Sequence, residues 1–154
     1  MRNADFFDRA TEAAKVVLRL VVGVMIFQAG ALKLFGWFGG VNGHGAVVPW
    51  LSEFGAAGWI ELIGGVAIAF GLLTRPVAFI LSGEMAVAYW QFQAPNGTWP
   101  IENQGIPAVL FCFIFLYFAA SGAGELSVDA ALRRTEPLPS RVVDQAREFR
   151  QRAS

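Results

Sequence analysis

The chain has 154 residues, 55% of them hydrophobic and only 16% charged, with 12 basic residues matched by 12 acidic ones. Soluble domains carry about a quarter charged residues, so this balance points away from an ordinary soluble domain, and the zero net charge offers no global field for a nucleic-acid partner. One cysteine, Cys112, and one histidine, His44, exclude an intramolecular disulfide and any zinc, iron–sulfur or bis-histidine haem site assembled from this chain alone.

In chain order, a mixed-charge leader is followed by a first apolar segment over residues 16–35, of the ~20 residues that cross a ~30 Å hydrocarbon layer. Ala29-Gly30-Ala31 has the small-residue pattern of a leader cleavage site. Arg19 interrupts the apolar stretch and the leader is not positively charged, so the segment reads as a retained span. A loop rich in Gly and Trp, "GWFGGVNGHGAVVPWLSEFG", precedes a second span over 57–73. The tripeptide "TRP" then leads into a third over 76–93, with Pro76 suited to a first helical turn because its missing N–H would be unpaired there anyway. So short a link makes the second and third spans an antiparallel hairpin. After "APNGTWPIEN" comes a fourth span over 104–121, bulky and aromatic, expected to fill against the second span's glycines or to face lipid. Cys112 within it reads as a small buried hydrophobe. Residues 131–154 form a polar tail in which Ser140 can cap a short helix with Val142, Val143, Ala146 and Phe149 on one face. The expected fold is all-α: an integral membrane four-helix bundle over 1–130 and a polar cytoplasmic tail over 131–154.

Cytoplasmic loops collect Lys and Arg. Four of the 12 basic residues flank the start of the first span, Arg75 sits in the short turn, and six follow the fourth span. Both termini are therefore expected in the cytoplasm and both long loops outside, which puts all five tryptophans at the outer interface as an aromatic belt. His44 reads as a solvated loop residue.

Ionisable groups inside an apolar span are turned inward, paired or functional. At ~1.5 Å per residue, Lys33 and Glu61 fall at nearly the same depth, close to the outer boundary, and are expected to pair. By the same count Glu84 lies ~12 Å above the inner boundary, between Arg19 at ~5 Å and Gln28 at ~18 Å, and can turn to either. Arg19, Gln28, Lys33, Glu61 and Glu84 thus form a candidate intramembrane polar site: a register lock, or a lining for a proton, a quinone head or a small polar solute. Either protonation state is open to Glu84. Small residues in the second span, Gly65 with Ala69 and Ala67 with Gly71, carry the small-xxx-small spacing that lets helices approach closely. The residues show no nucleophile–base pair, nucleotide loop or metal cluster of a self-sufficient enzyme.

The stretches "GALKLFGW", "WIELIGGVAIAFGLLTRP", "NQG" and "GAGELSVD" resemble, in order and spacing over residues 15–130, the signature of the DoxX family of small bacterial membrane proteins. The resemblance implies a four-helix membrane bundle in the bacterial inner (plasma) membrane. It singles out Gly30 and Lys33, then Glu61, Gly64 or Gly65, Gly71 and Arg75, then Asn103 and Gly105, and last Gly122, Gly124, Ser127 and Asp129. Where the family often continues "NGGE", this chain has "NQGIP", so a carboxylate there is absent or supplied by Glu102. Family members resemble subunits of a thiosulfate:quinone oxidoreductase in some archaea and are associated with membrane redox or thiol-stress complexes in some bacteria. The expected function is thus that of a subunit or scaffold of a membrane redox complex, quinone- or thiol-linked. A solute or proton carrier and a purely structural bundle are the alternatives. Membrane lipid and a redox protein are the expected partners; no cofactor is evident, and quinone would come through a partner or a cleft.

Overall fold

The computed structural model describes residues 2–135, with side chains from 6 to 134. The expected helix around Ser140 lies outside them. Among the described residues the fold is all-helical, with no strand: α1 (Arg2–Phe35), α2 (Glu53–Phe70), α3 (Thr74–Ala88), α4 (Ile106–Ser121) and the short α5 (Val128–Thr135). Two segments, Phe6–Phe35 and Glu53–Phe70, are long and apolar enough to cross a membrane, and Ile106–Ser121 is a shorter apolar helix. α3 continues through a π-helical turn, Tyr89–Gln93, into a 3-10 turn, Ala94–Asn96. α1 starts well before the apolar segment does, because its polar leader has nothing to break it before Gly36.

Local chemistry sets the helix boundaries. Ser52 caps α2, its Oγ accepting from the Gly55 N–H at 3.1 Å, so α2 begins four residues before the apolar count placed it. Its far end closes at Gly71, left-handed at φ +69°, with Leu72 N–H returning to the Ala67 carbonyl at 2.8 Å. Asn103 folds back so that its Oδ1 accepts from Gly105 N–H at 2.9 Å, while its Nδ2 donates to the Gly97 carbonyl at 3.0 Å. That turn delays the start of α4 to Ile106, with Pro107 in the first turn.

The principal pairings are α1 with α2 and α3 with α4; α2 meets α3 more lightly. The first pairing runs on glycines. A Cβ added at Gly23 would meet the Ala69 backbone nitrogen at 2.7 Å, and one at Gly30 the Leu62 nitrogen at 2.5 Å. From the other side a Cβ on Gly65 would strike Phe27 nitrogen at 2.5 Å. Gly23 and Gly30 are spaced by two helical turns, so backbone lies on backbone along one stripe. Since α1 occupies Gly58 and Gly65 of α2, and Leu81 of α3 sits on Gly64, α4 does not fill against these glycines. It packs on α3 instead, burying Phe115 and Phe118 with Val22, Ile26, Ile68, Ala78, Leu81 and Met85. Ala108 is buried too and Phe111, Cys112, Ile114 and Ala119 pack partly against this core, while Leu110, Phe113, Leu116 and Tyr117 face outward.

Candidate functional site

Lys33 and Glu61 meet. Lys33 Nζ donates to Glu61 Oε1 at 2.6 Å, with the carboxylate side chain only 4% exposed. A helical side chain leans toward the N-terminus of its own helix, so the Lys33 amine comes back down α1 to reach Glu61. Glu61 Oε2 is buried without a hydrogen-bond partner.

Beside this pair stands Glu84. Both of its carboxyl oxygens are buried and neither has a partner, and the group lies within electrostatic reach of Glu61 and Lys33. Measured from the turn that joins α2 to α3, Glu61 is nine residues up and Glu84 ten, about 14 and 15 Å. The two acids are therefore nearly level, whereas counting from apolar-segment ends placed Glu84 well below Glu61. The cause is the early end of α2 at Phe70 and the early start of α3 at Thr74. Gln93 Oε1, nine residues beyond Glu84, is another buried oxygen without a partner.

The other two members of the expected site lie elsewhere. Gln28 is exposed: it sits two residues from both Ile26 and Gly30, and positions i and i+2 do not share a helix face. Arg19 is 3% exposed, yet it does not pair with Glu84. Its Nη1 donates to the Ala123 carbonyl and its Nη2 to the Leu126 carbonyl, each at 2.8 Å. A long side chain that leans toward the start of α1 reaches the loop after α4 before it could turn up to Glu84.

That loop is a clamp, and it absorbs most of the remaining motif residues. Asp129 accepts from Leu73 N–H at 2.7 Å and from Thr74 N–H at 2.9 Å, capping α3 from 55 residues away. Leu73 is itself left-handed, at φ +47°, with no side-chain cap of its own. Asp129 N–H donates to the Gly71 carbonyl at 2.9 Å. Ser127 Oγ bridges the Gly124 carbonyl and Ala130 N–H, at 2.7 and 3.1 Å. A Cβ on Gly71 would meet Arg19 Nη1 at 2.5 Å, so glycine there serves both the helix end and the guanidinium. Burial pushes the Asp129 carboxyl up, but the Thr74 and Leu73 amides and the nearby Arg133 outweigh it and hold its pKa below the ordinary value. The Thr74 hydroxyl faces the same carboxylate without meeting hydrogen-bond geometry, so the two backbone amides make the cap.

Cys112 is partly buried, its Sγ 3.6 Å from Ser82 Oγ, and that hydroxyl also donates to the Cys112 carbonyl at 2.9 Å. His44 is exposed, its N–H bonded to Asn42 Oδ1. All five tryptophans are exposed, from 37% for Trp59 to 71% for Trp90, and all lie toward the end of the molecule opposite the Gly71 turn. Glu102 Oε2 accepts from Trp99 N–H at 3.3 Å. Among the described residues no group of three His, Cys, Asp or Glu side chains is placed to share a metal ion.

Gly23, Gly58, Thr74, Ser82 and Gln93 were not singled out by sequence reasoning. The one signal available for Gly23 and Gly58 was their seven-residue spacing to Gly30 and Gly65.

The family model DoxX matches residues 14–94, the segment that carries both Lys33 and the two acids. The chain belongs to the DoxX family. This DoxX protein is 41% identical over 117 residues to an uncharacterised protein of Haemophilus influenzae, covering 73% of this chain and 85% of that one. A second uncharacterised H. influenzae protein is 26% identical over 150 residues, covering 91% and 97%. A Bacillus subtilis protein named "Putative oxidoreductase CatD" is 33% identical over 76 residues, covering 49% of the DoxX chain and 56% of its own. No solved structure matches significantly.

Proposed function

We propose that this DoxX protein is a multi-pass four-helix bundle of the bacterial inner membrane, with both termini in the cytoplasm, and a subunit of a membrane redox complex working at the quinone level. The observation that carries the functional reading is the pair of level acids on α2 and α3: Glu61 neutralised by Lys33, and Glu84 buried with neither oxygen bonded. A register lock needs every member satisfied, because an unpaired buried polar group is destabilising. Glu84 instead leaves hydrogen-bonding capacity unused.

The unused atoms are all oxygens. An ionised carboxylate accepts only, and a protonated one adds a single donor. The complement is therefore a hydroxyl or a proton, which suits the O–H of a quinol better than an apolar guest. Quinone bound here would supply the two-electron, two-proton carrier, with electrons exchanged through a partner. Glu84 would accept or return one of the two protons at a ring oxygen, and the Lys33 bond would hold Glu61 in place beside it. The relative named as an oxidoreductase supports a redox setting, as does the placement of Lys15, Arg19, Arg75, Arg133 and Arg134 at one end of the bundle for the orientation.

The test is purification in mild detergent, with mass spectrometry of co-purifying protein and lipid-soluble redox compounds, for wild type and Glu84→Gln. Wild type should retain quinone and a redox protein, and Glu84→Gln should keep the protein partner while losing quinone-linked turnover at least tenfold. Normal turnover in Glu84→Gln would sink the quinone reading. Flux of a polar solute into liposomes by the chain alone would replace it with a carrier.

A further inference from the structure

A cleft of about 690 Å³ opens at the end of the bundle opposite the tryptophans, far from the two acids, between the first turn of α3, the end of α4 and α5. Four cations line it: Lys15, Arg75, Arg133 and Arg134. Three acids line it too, but two of them are already committed. Glu12 pairs with Lys15 at 3.6 Å and accepts from Glu125 N–H at 3.1 Å. Asp129 is held by the two amides that begin α3. The third, Glu125, is exposed.

The arginines are in the opposite condition. Among the described residues Arg75 and Arg134 make no side-chain hydrogen bond or ion pair, and Arg133 uses only Nε, on the Asp129 carbonyl at 3.2 Å. Three guanidinium forks thus border one cleft with their terminal nitrogens unengaged. Like charges gathered this way repel, and the arrangement is relieved by an anion with several oxygens, since the planar fork matches phosphate two bonds at a time. Gly122 helps: at φ +76° it has no side chain, and a Cβ there would stand 3.4 Å from Arg75 Nε. The rim is apolar, with Leu73 and Leu132 61% and 55% exposed.

We propose that this cleft binds a phosphate group, presented by an anionic phospholipid headgroup of the inner leaflet whose acyl chains lie along the apolar rim. The lipid source rests on the membrane placement proposed above. The phosphate chemistry does not, and neither depends on the redox reading.

Full-length protein in mild detergent would be titrated with phosphatidylglycerol, phosphatidylcholine and inorganic phosphate, and bound species counted by native mass spectrometry. Wild type should hold phosphatidylglycerol at least tenfold more tightly than phosphatidylcholine. Arg75→Gln with Arg134→Gln should abolish that preference, and Arg134→Gln alone should weaken it about threefold while leaving thermal unfolding in lipid-free detergent unchanged. Glu84→Gln should bind lipid as wild type does, which separates this site from the quinone reading. If inorganic phosphate binds one to one with the same arginine dependence and displaces the lipid, the site stands and its occupant is a soluble phosphate. Equal binding of the two lipids without phosphate binding, or an Arg134→Gln protein with undiminished preference, overturns the proposal.

Discussion

Lys33 and Glu61 form a short, largely desolvated pair, and removing one member strands the other. Lys33→Met or Glu61→Gln should each destabilise the fold by about 3 kcal/mol, the lower end for buried pairs because Lys33 is partly exposed. The double change should recover part of that loss in denaturant unfolding of the detergent-solubilised protein. Additive effects would show that the two groups do not interact. Asp129 makes a different prediction, in pH. Its folded pKa lies below its unfolded value of about 3.9, so its contribution is fully present above that value and is lost as pH falls through the lowered folded one. Asp129→Ala should lower stability by about 1 kcal/mol at neutral pH, as loss of a helix cap does. It should also flatten the acid limb of the stability curve below about pH 4. An unaltered acid limb would assign the cap to the backbone alone.

At the scale of helices, close approach of α1 and α2 depends on Gly23, Gly30 and Gly65. A methyl group at Gly30 meets backbone that cannot swing aside, so Gly30→Ala should destabilise by about 1–3 kcal/mol, as overpacking does. Gly83→Ala is the control, since nothing stands within 4 Å of a Cβ there; comparable losses in the two variants would deny the interface its special closeness. The same helices show what could be read from the chain alone. Lys33 and Glu61 were legible as a pair because their helices run in opposite directions with few breaks, so counting residues gave depth. Glu84 was misplaced because depth was counted from the ends of apolar composition, whereas Gly71 and the Asp129 cap decide where α2 stops and α3 starts. Gln28 was misassigned because depth says nothing about azimuth. Arg19 was misplaced by searching for an acid within the spans, since its hydrogen-bond partners are main-chain carbonyls in a loop and the acid in its electrostatic reach is Asp129, beyond α4. The clamp residues were visible only as a shared pattern, "GAGELSVD", whose physical role needs three distant segments brought together.

For the whole molecule, the proposed orientation has a direct check. With Cys112 replaced by Ala, a cysteine at Gly43 or Gly97 should react with an impermeant thiol reagent on intact cells, and one at Glu125 should not. Labelling of Glu125 with silent loops would invert the topology. The clamp has one more consequence, which concerns the order in which the chain is made. Ribosomes deliver the turn of the α2–α3 hairpin, Leu73 and Thr74, 56 and 55 residues before Asp129 appears. Until then the opening amides of α3 and the guanidinium of Arg19 lack their final partners, and the hairpin waits, incompletely tied, in whatever environment received it. Residues 123–129 follow α4 and close three segments in one stroke, so assembly has a defined late event that reports whether the apolar helices have come together. A nascent chain arrested before residue 129 should be degraded far faster in pulse–chase than one extended past it, even though every apolar helix is already present in both.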